Sequence, residues 1–332
     1  MGPSLPTPAN AVTAKFADAF RCKSGPKNVM NFAQFMELAL YHPEVGYYTR
    51  PRIRVGYGEK TDFFTSSSSG KIFGELMAAA CLKLLAGADP RNFEFVELGA
   101  ETEHGILAGV SHPFRSARTV RFGEPWRLSG SCIVFSNELF DAQPFRRFAY
   151  RRGGWRELGV EIRIQELFEV EIDSTPPTNL PIEATEDYRI DAPFAAADLI
   201  DSISSDLWSG LFVACDYGKS WPEIAHNTPG GTARAYFNHT QSNRLLEQAG
   251  NKDLTCHICW DWLSDRLRRN RFSIPTLESQ ESFLVRNAGE TIATISTEEA
   301  LRMSQRKLAL MQLLHPSHLG QKFQVLHAFR AA

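Results

Sequence analysis

The sequence predicts an α/β fold, a doubly wound and largely parallel sheet closed by an antiparallel edge. Three observations carry that expectation. Short apolar runs at residues 93–98, 119–122, 132–136 and 211–215 are separated by stretches of other periodicity. The last two runs are apolar almost throughout, as strands covered on both faces of a parallel sheet tend to be. The C-terminal part alternates strand and helix patterns and closes on a further apolar run, "FQVLHAF".

Composition sets the outer bounds. At 332 residues the chain has room for one large domain with an insertion, or for two domains. An apolar content of 43 % and a charged content of 22 % describe a soluble globular protein, and a formal net charge of −2 argues against nucleic acid as a partner. No apolar run reaches the roughly 18 residues of a membrane span. Several of the 6 cysteines sit in apolar runs such as "SCIVF" and "LFVACDYG", which fits a reducing compartment. The start, "MGPSLPTPANAVTAKF", lacks the basic head and apolar centre of a secretory signal, and no arginine precedes Arg21. A cytoplasmic location is therefore expected rather than the mitochondrial matrix.

Along the chain, residues 1–30 read as a proline-rich arm and residues 31–90 as a helical region. "NFAQFMELALYH" opens on Asn31 as a cap and repeats Phe32, Phe35, Met36, Ala39 and Leu40 along one face until Pro43. "KIFGELMAAACLKLLAG" gives a second helix, stopped by Gly87. Ahead of it, "TSSSSGKIFG" only imitates a P-loop. Thr65 and Ile72 stand where that loop needs a glycine and a hydroxyl side chain, so a nucleoside triphosphate site is excluded. The core is expected at 91–144 and 192–332. Between them, residues 145–191 alternate apolar and polar side chains around "RGG", the signal of an antiparallel hairpin, and form an inserted β-rich lid or substrate platform. The second core segment carries a short helix near 241–248, a strand at 253–258 and a helix near 261–268. A strand at 272–276, a helix from 297 to about 314 and the last strand follow. The basic knots at Arg146-Arg147 and at 266–271 read as solvated faces.

Two segments carry chemistry. In "VELGAETEHGIL" the first core strand stops at Gly99, where a ligand-binding strand-to-helix turn is rich in glycine. Here Glu101 and Glu103 intervene, and glycine returns only at Gly105. "SNELFDAQPF" follows "CIVF", so Asn137, Glu138 and Asp141 emerge at the carboxyl end of a central strand, the edge on which open α/β sheets bind ligands. The same residues also suit a capped turn. Cys256 and Cys259 make a lone "CHIC", and no metal is expected there.

Read in order, "ALYHPEVGYY", "TDFFTSSSSGKIFGEL", "VELGAETEHGIL", "SNELFDAQPFRRF", "DYG", "GTARAYFNH", "DLTCHICWDWL" and "FQVLHAF" resemble the MidA-like methyltransferases. That is the family of the mitochondrial complex I assembly factor that methylates a protein arginine. The resemblance runs from about residue 32 to 329. It implies a class I methyltransferase fold with a seven-stranded sheet and a reversed last strand. It also implies S-adenosyl-L-methionine as cofactor and an arginine-bearing protein as substrate, with a homodimer considered and neither nucleic acid nor membrane as a partner.

Carried over position by position, Glu97, Gly99, Ala100 and Gly105 fall on the family's Glu-x-Gly-x-Gly cofactor turn. Gly105 matches with two residues inserted, and Glu101 takes the place of the middle glycine. Thr65 belongs to the Asp-Phe-x-Thr element beginning at Asp62. Asn137, Glu138 and Asp141, closed by Pro144, match Asn-Glu-x-x-Asp-Ala-x-Pro and are the catalytic candidates. Asp216 and Tyr217 match Asp-Tyr-Gly, and His257 matches the histidine of Asp-x-Thr-x-His; these three are the candidates for holding substrate. Thr232 and Arg234 match Gly-Thr-x-Arg. Only residues 106–136 are left for the family's second strand, so Glu124 is assigned as the acid that grips the cofactor ribose, and one peripheral strand-helix unit is expected to be missing. Carboxylates accept a guanidinium fork in paired hydrogen bonds, which suits Glu138 and Asp141 to orienting arginine. The altered glycine turn leaves a second expectation, a catalytically degenerate member acting as a binding or assembly factor. A nicotinamide oxidoreductase is disfavoured by the lack of an intact G-x-G-x-x-G.

Overall fold

The computed structural model describes residues 9–50, 66–100, 102–301 and 304–331. It begins with α1 (Ala14–Ser24), β1 (Val29–Asn31) and α2 (Phe32–Tyr41), followed by α3 (Lys71–Leu84). Then come β2 (Glu94–Leu98), β3 (Ser116–Val120) and β4 (Gly130–Asn137). The insertion supplies β5 (Arg146–Arg151), β6 (Gly154–Arg163), β7 (Glu166–Ile172) and β8 (Arg189–Ala192). Next are α4 (Phe194–Ser204), β9 (Trp208–Asp216), β10 (Gly218–Lys219) and α5 (Trp221–His226). Short strands β11 (Arg234–Phe237), β12 (Thr240–Ser242), β13 (Asp253–Thr255) and β14 (Ile258–Cys259) lead to α6 (Trp260–Arg269). The chain closes with β15 (Thr276–Ser279), α7 (Gln280–Glu298), α8 (Gln305–Leu314) and β16 (Gln324–Arg330).

Alternation along the central strands builds both faces of the main sheet. Leu211, Val213 and Cys215 of β9 join Phe95, Ile133 and Phe135 in a cluster with α3, α7 and α8. Phe212 and Ala214 of the same strand join Val96, Leu98 and Val134 in a cluster with α4 and α6. Period-two side chains buried on both sides are what a doubly wound sheet requires. The strand order is β15-β16-β9-β4-β2-β3, with β2, β3, β4 and β9 parallel and β16 antiparallel to β9. The described residues thus give six strands with the reversed strand expected, not seven. A turn and loop span residues 121–129 between β3 and β4, too short for a further strand and helix.

The second layer draws on both ends of the insertion. β6 pairs with β5 and β7 and, through its second half, with β1, while β8 pairs with β5. Phe16, Phe20, Phe32 and Phe35 share one apolar cluster with Phe145, Leu158, Val160 and Leu167. The region expected as one helical unit at 31–90 is therefore divided: α2 packs on the sheet of β5 to β8, α3 on the main sheet.

Other expectations are corrected locally. The arm holds α1, capped by the Thr13 hydroxyl. Residues 241–248 are not a helix, because Asn238 and His239 both take left-handed φ (46° and 59°) and turn β11 back into β12 as a two-residue hairpin. The strand expected at 272–276 is displaced to β15. A 19-residue helix, α7, precedes the predicted C-terminal one, and the latter starts at Gln305 rather than 297. Arg147, expected on a solvated face, is 5 % exposed and clasps Asp191 (Nε to Oδ1 2.6 Å), whose other oxygen accepts the Thr232 and Ala233 amides (2.7 and 2.8 Å). No described helix is long and apolar enough to cross a membrane.

Candidate functional site

A cavity of about 960 Å³ opens at the carboxyl ends of β2, β4 and β9, where Glu97, Gly99, Asn137, Glu138 and Tyr217 line it. The opposite wall comes from Tyr236, Asp253, Thr255 and His257, and Lys71 at the start of α3 closes the end beside the glycine turn. That volume suits a drug-sized ligand.

The turn after β2 is held by Glu97. This side chain is 5 % exposed, and its Oε2 accepts the Ile106 amide at 2.7 Å. Burial pushes its carboxyl up to about 7 against the pull of that amide. Gly105 lies at φ 61°, and an added Cβ would sit 2.2 Å from Glu97 Oε2, so the closing glycine is what lets the carboxylate reach across the turn. Turns and loop continue from there to β3 in place of the expected helix. α3 covers the segment instead: an added Cβ at Gly74 would lie 2.0 Å from the Ile106 carbonyl.

At the end of β4 the chain is pinned from two sides. Glu138 takes a left-handed φ of 53° while its amide still reaches the Cys215 carbonyl of β9 at 2.9 Å, and Asn137 Nδ2 donates to Glu138 Oε1 at 3.1 Å. Non-glycine residues held there are strained and cluster at functional sites. Phe140 then turns inward, 1 % exposed. Asp216 Oδ2 accepts the Phe140 and Asp141 amides (2.9 and 3.3 Å), and its Oδ1 accepts the Tyr217 amide (2.8 Å). The Asp141 carbonyl in turn accepts the Cys256 amide at 2.9 Å. Asp141 is thereby fixed on the cavity wall.

Burial dominates the titration of the site. It raises the Asp141 carboxyl to about 6, with the Tyr217 hydroxyl and nearby amides pulling the other way. It raises Asp216 further, and the Asp141 charge adds to that. It lowers His257 to about 4, helped by Lys219 and Arg234, so this imidazole is neutral. Tyr236 is pushed up to about 12 by burial and by the Asp141 and Asp253 charges. Among the described residues, Asn137 Oδ1, Asp141 Oδ1, Thr255 Oγ1 and His257 Nδ1 are buried without a hydrogen-bond partner. Such groups are costly unless something else satisfies them.

Asn137, Glu138, Asp141, Tyr217 and His257 thus meet with Glu97, Gly99 and Gly105 in one cavity. Asp216 lies behind this wall, fully buried, and is corrected from a substrate contact to a support for the loop. Ala100 is buried beside the turn without lining the cavity. Glu124 stands apart: its Oε2 folds back onto the Arg121 amide at 2.8 Å in an exposed turn. It cannot serve as the expected ribose acid from that position. Thr65 and Glu101 lie outside the described residues. Sequence reasoning passed over Lys71, Tyr48, Tyr236, Asp253 and Thr255. All but Lys71 stand in the aromatic and "DLT" segments of the family motifs, and Tyr48 reaches Asp253 Oδ1 through its hydroxyl at 2.9 Å.

Comparison with known proteins places this geometry. A family profile described as "Putative S-adenosyl-L-methionine-dependent methyltransferase" matches residues 110–274. The "Protein arginine methyltransferase NDUFAF7, mitochondrial" of Danio rerio is 25 % identical over 93 % of this chain and 85 % of its own. The Homo sapiens protein of the same name is 23 % identical over 92 % of this chain and 80 % of its own. A Burkholderia thailandensis crystal structure bound to S-adenosyl-homocysteine superposes with a TM-score of 0.84 at 21 % identity, covering 99 % of this chain and 95 % of that one, and shows the shared fold. The expectation of a cytoplasmic protein is overturned by the relatives, which are named as mitochondrial. The chain belongs to the MidA-like family of S-adenosyl-L-methionine-dependent methyltransferases, and it is an enzyme of that class.

Proposed function

We propose that this methyltransferase acts on an arginine side chain of a protein. The observation that carries the reading is the set of buried, unpartnered atoms Asn137 Oδ1, Asp141 Oδ1 and Thr255 Oγ1 on a wall shared with Glu138, Asp253 and the Tyr217 and Tyr236 rings. A guanidinium is a planar cation with five N–H donors and no acceptor, so carboxylate, amide and hydroxyl oxygens complement it and aromatic faces attract it. The names of the relatives, protein arginine methyltransferases, support the same substrate class.

The residues at the other end of the cavity fit the donor. Lys71 Nζ, about 2.9 Å from where a Gly109 Cβ would stand, offers a cation to the carboxylate of its amino-acid end. The donor has no phosphate, so an acidic turn does not repel it as it would a nucleotide. When bound, it supplies a methyl group on positively charged sulfur. Methyl transfer then depends on aligning the acceptor nitrogen and excluding water. Glu138 and Asp141 orient the guanidinium fork, and Asn137 steadies Glu138 through its amide.

The test is incubation with isotopically labelled donor and an arginine-bearing peptide mixture, followed by mass spectrometry of the methylated residues. Methylarginine is expected. Glu138→Gln is expected to cut transfer about a hundredfold or more while calorimetry shows donor affinity nearly intact. Methyl groups found only on other side chains or on small molecules would reject the arginine assignment.

A further inference from the structure

Methylating a guanidinium nitrogen leaves one proton to be taken up. We propose that Asp141 accepts this proton. The inference rests on the arginine reading and adds a chemical role to a residue otherwise needed only for orientation. The electron pair of the nitrogen forms the new N–C bond, and the carbon–sulfur bond breaks with its pair remaining on sulfur. The N–H proton passes to Asp141 Oδ1, so a carboxylate becomes a carboxylic acid and the methylated side chain keeps a single positive charge.

Of the buried acids lining the cavity, Glu97 is engaged by the Ile106 amide and Asp253 by the Tyr48 hydroxyl. That leaves Asp141, with its neighbours Asp216 and His257, as the groups that could take that proton. Asp216 is fully buried, and both its oxygens are engaged by the amides of Phe140, Asp141 and Tyr217, which leaves it no face toward the cavity. His257 Nδ1 and Asp141 Oδ1 both reach the wall without a partner. Burial acts on these two in opposite directions, because it disfavours whichever form is charged. An imidazolium is the form this wall resists, and a protonated carboxyl is the form it favours. Burial prevails at Asp141 over the opposing pull of the Tyr217 hydroxyl and nearby amides. Asp216 and Tyr217 approach from the end of β9, Tyr236 from β11, and Cys256 from the segment after β13. Carboxyl, phenol and thiol groups never carry positive charge, so none of these neighbours is a cation that would hold Asp141 ionised. Arg234, which acts on His257 and Tyr236, spends its guanidinium on the Gly231 and Ala233 carbonyls.

Two measurements on the full chain test this. The first is calorimetry of a short glycine–arginine peptide without donor near pH 6, in two buffers of different ionisation enthalpy. The wild type is expected to release part of a proton as the guanidinium drives Asp141 into its charged form, and Asp141→Asn is expected to release markedly less. The second is the pH dependence of kcat. Asp141→Asn is expected to lose about a hundredfold in kcat together with the acid limb of the profile, and Asp141→Glu to restore that limb. His257→Asn is expected to leave the limb in place. A limb that survives in Asp141→Asn, or one that vanishes in His257→Asn, overturns the proton role while methylarginine still forms. Absence of peptide binding together with absence of methylarginine overturns the substrate assignment and this inference with it.

Discussion

Gly105 and Glu97 show how one side chain can organise a turn. The carboxylate crosses the loop to the Ile106 amide only because Gly105 leaves a space and takes a φ of 61°. Gly105→Ala is expected to strain the backbone by about 1–2 kcal/mol and to push Glu97 aside. Thermal melting should fall and calorimetry should show donor binding weakened at least several-fold. Glu97 also makes stability depend on pH. Burial pushes its carboxyl up to about 7 in the folded protein against an ordinary 4.5, so the native state holds the proton across that window and the unfolded chain does not. Stability contributed by this group is therefore lost as pH rises from about 4.5 to 7, by up to ~3 kcal/mol. Glu97→Gln keeps an acceptor for Ile106 and is expected to flatten that decline in urea denaturation. Unchanged pH dependence in the variant would exclude Glu97 as its source. These two residues were legible as a motif, but the carboxylate's burial was not, because it follows from α3 covering the turn.

At the scale of elements, the loss of the helix after β2 is offset by α3. Gly74 lets Ile106 and Val110 pack directly on that helix. The inserted sheet is tied down differently, by a buried pair. Arg147 of β5 and Asp191 of β8 hold each other, and Asp191 also caps the amides of the turn before β11. Asp191→Ala leaves the buried Arg147 guanidinium with only the longer Glu169 contact at 3.5 Å and is expected to cost about 3–5 kcal/mol in denaturant unfolding. A loss below about 1 kcal/mol would show that the clasp is dispensable. In the sequence Arg146-Arg147 reads as a surface knot, since the partner lies 44 residues away. α7 escaped notice for a related reason. Its buried residues, Phe283, Leu284, Ala288 and Ile295, are spread thinly among polar ones, and the signal that starts it is one Ser279 cap. Long-range packing against α3, not local pattern, makes it a helix.

For the whole molecule, the cavity sets Lys71 beside the glycine turn and brings the Glu138, Asp141 and Asp253 carboxylates into the rest of its lining. A ligand with an anionic end and a cationic centre fits one end, and a guanidinium fits the other. Donor or its demethylated product at about 100 times Kd is expected to add ~2.7 kcal/mol of stability and raise the melting temperature by several degrees. Lys71→Ala should reduce that rise. A melt insensitive to both ligands would remove the donor from this cavity.

The sequence by itself determined the main sheet and the class of chemistry. Strands buried on both faces must be apolar along their whole length, and a ligand edge must carry its polar residues just past a strand's end. Both constraints are local, so 93–98, 132–136 and 211–215 were readable, and so was "SNELFDAQP". Only the tertiary structure decided which acids face the cavity. Asp216 and Asp141 read alike in sequence, yet one is closed off by three amides and the other keeps a bare oxygen on the wall. Glu124 likewise turns away onto its own backbone. Desolvation and partnering depend on residues brought together from far apart in the chain, and no local pattern encodes them.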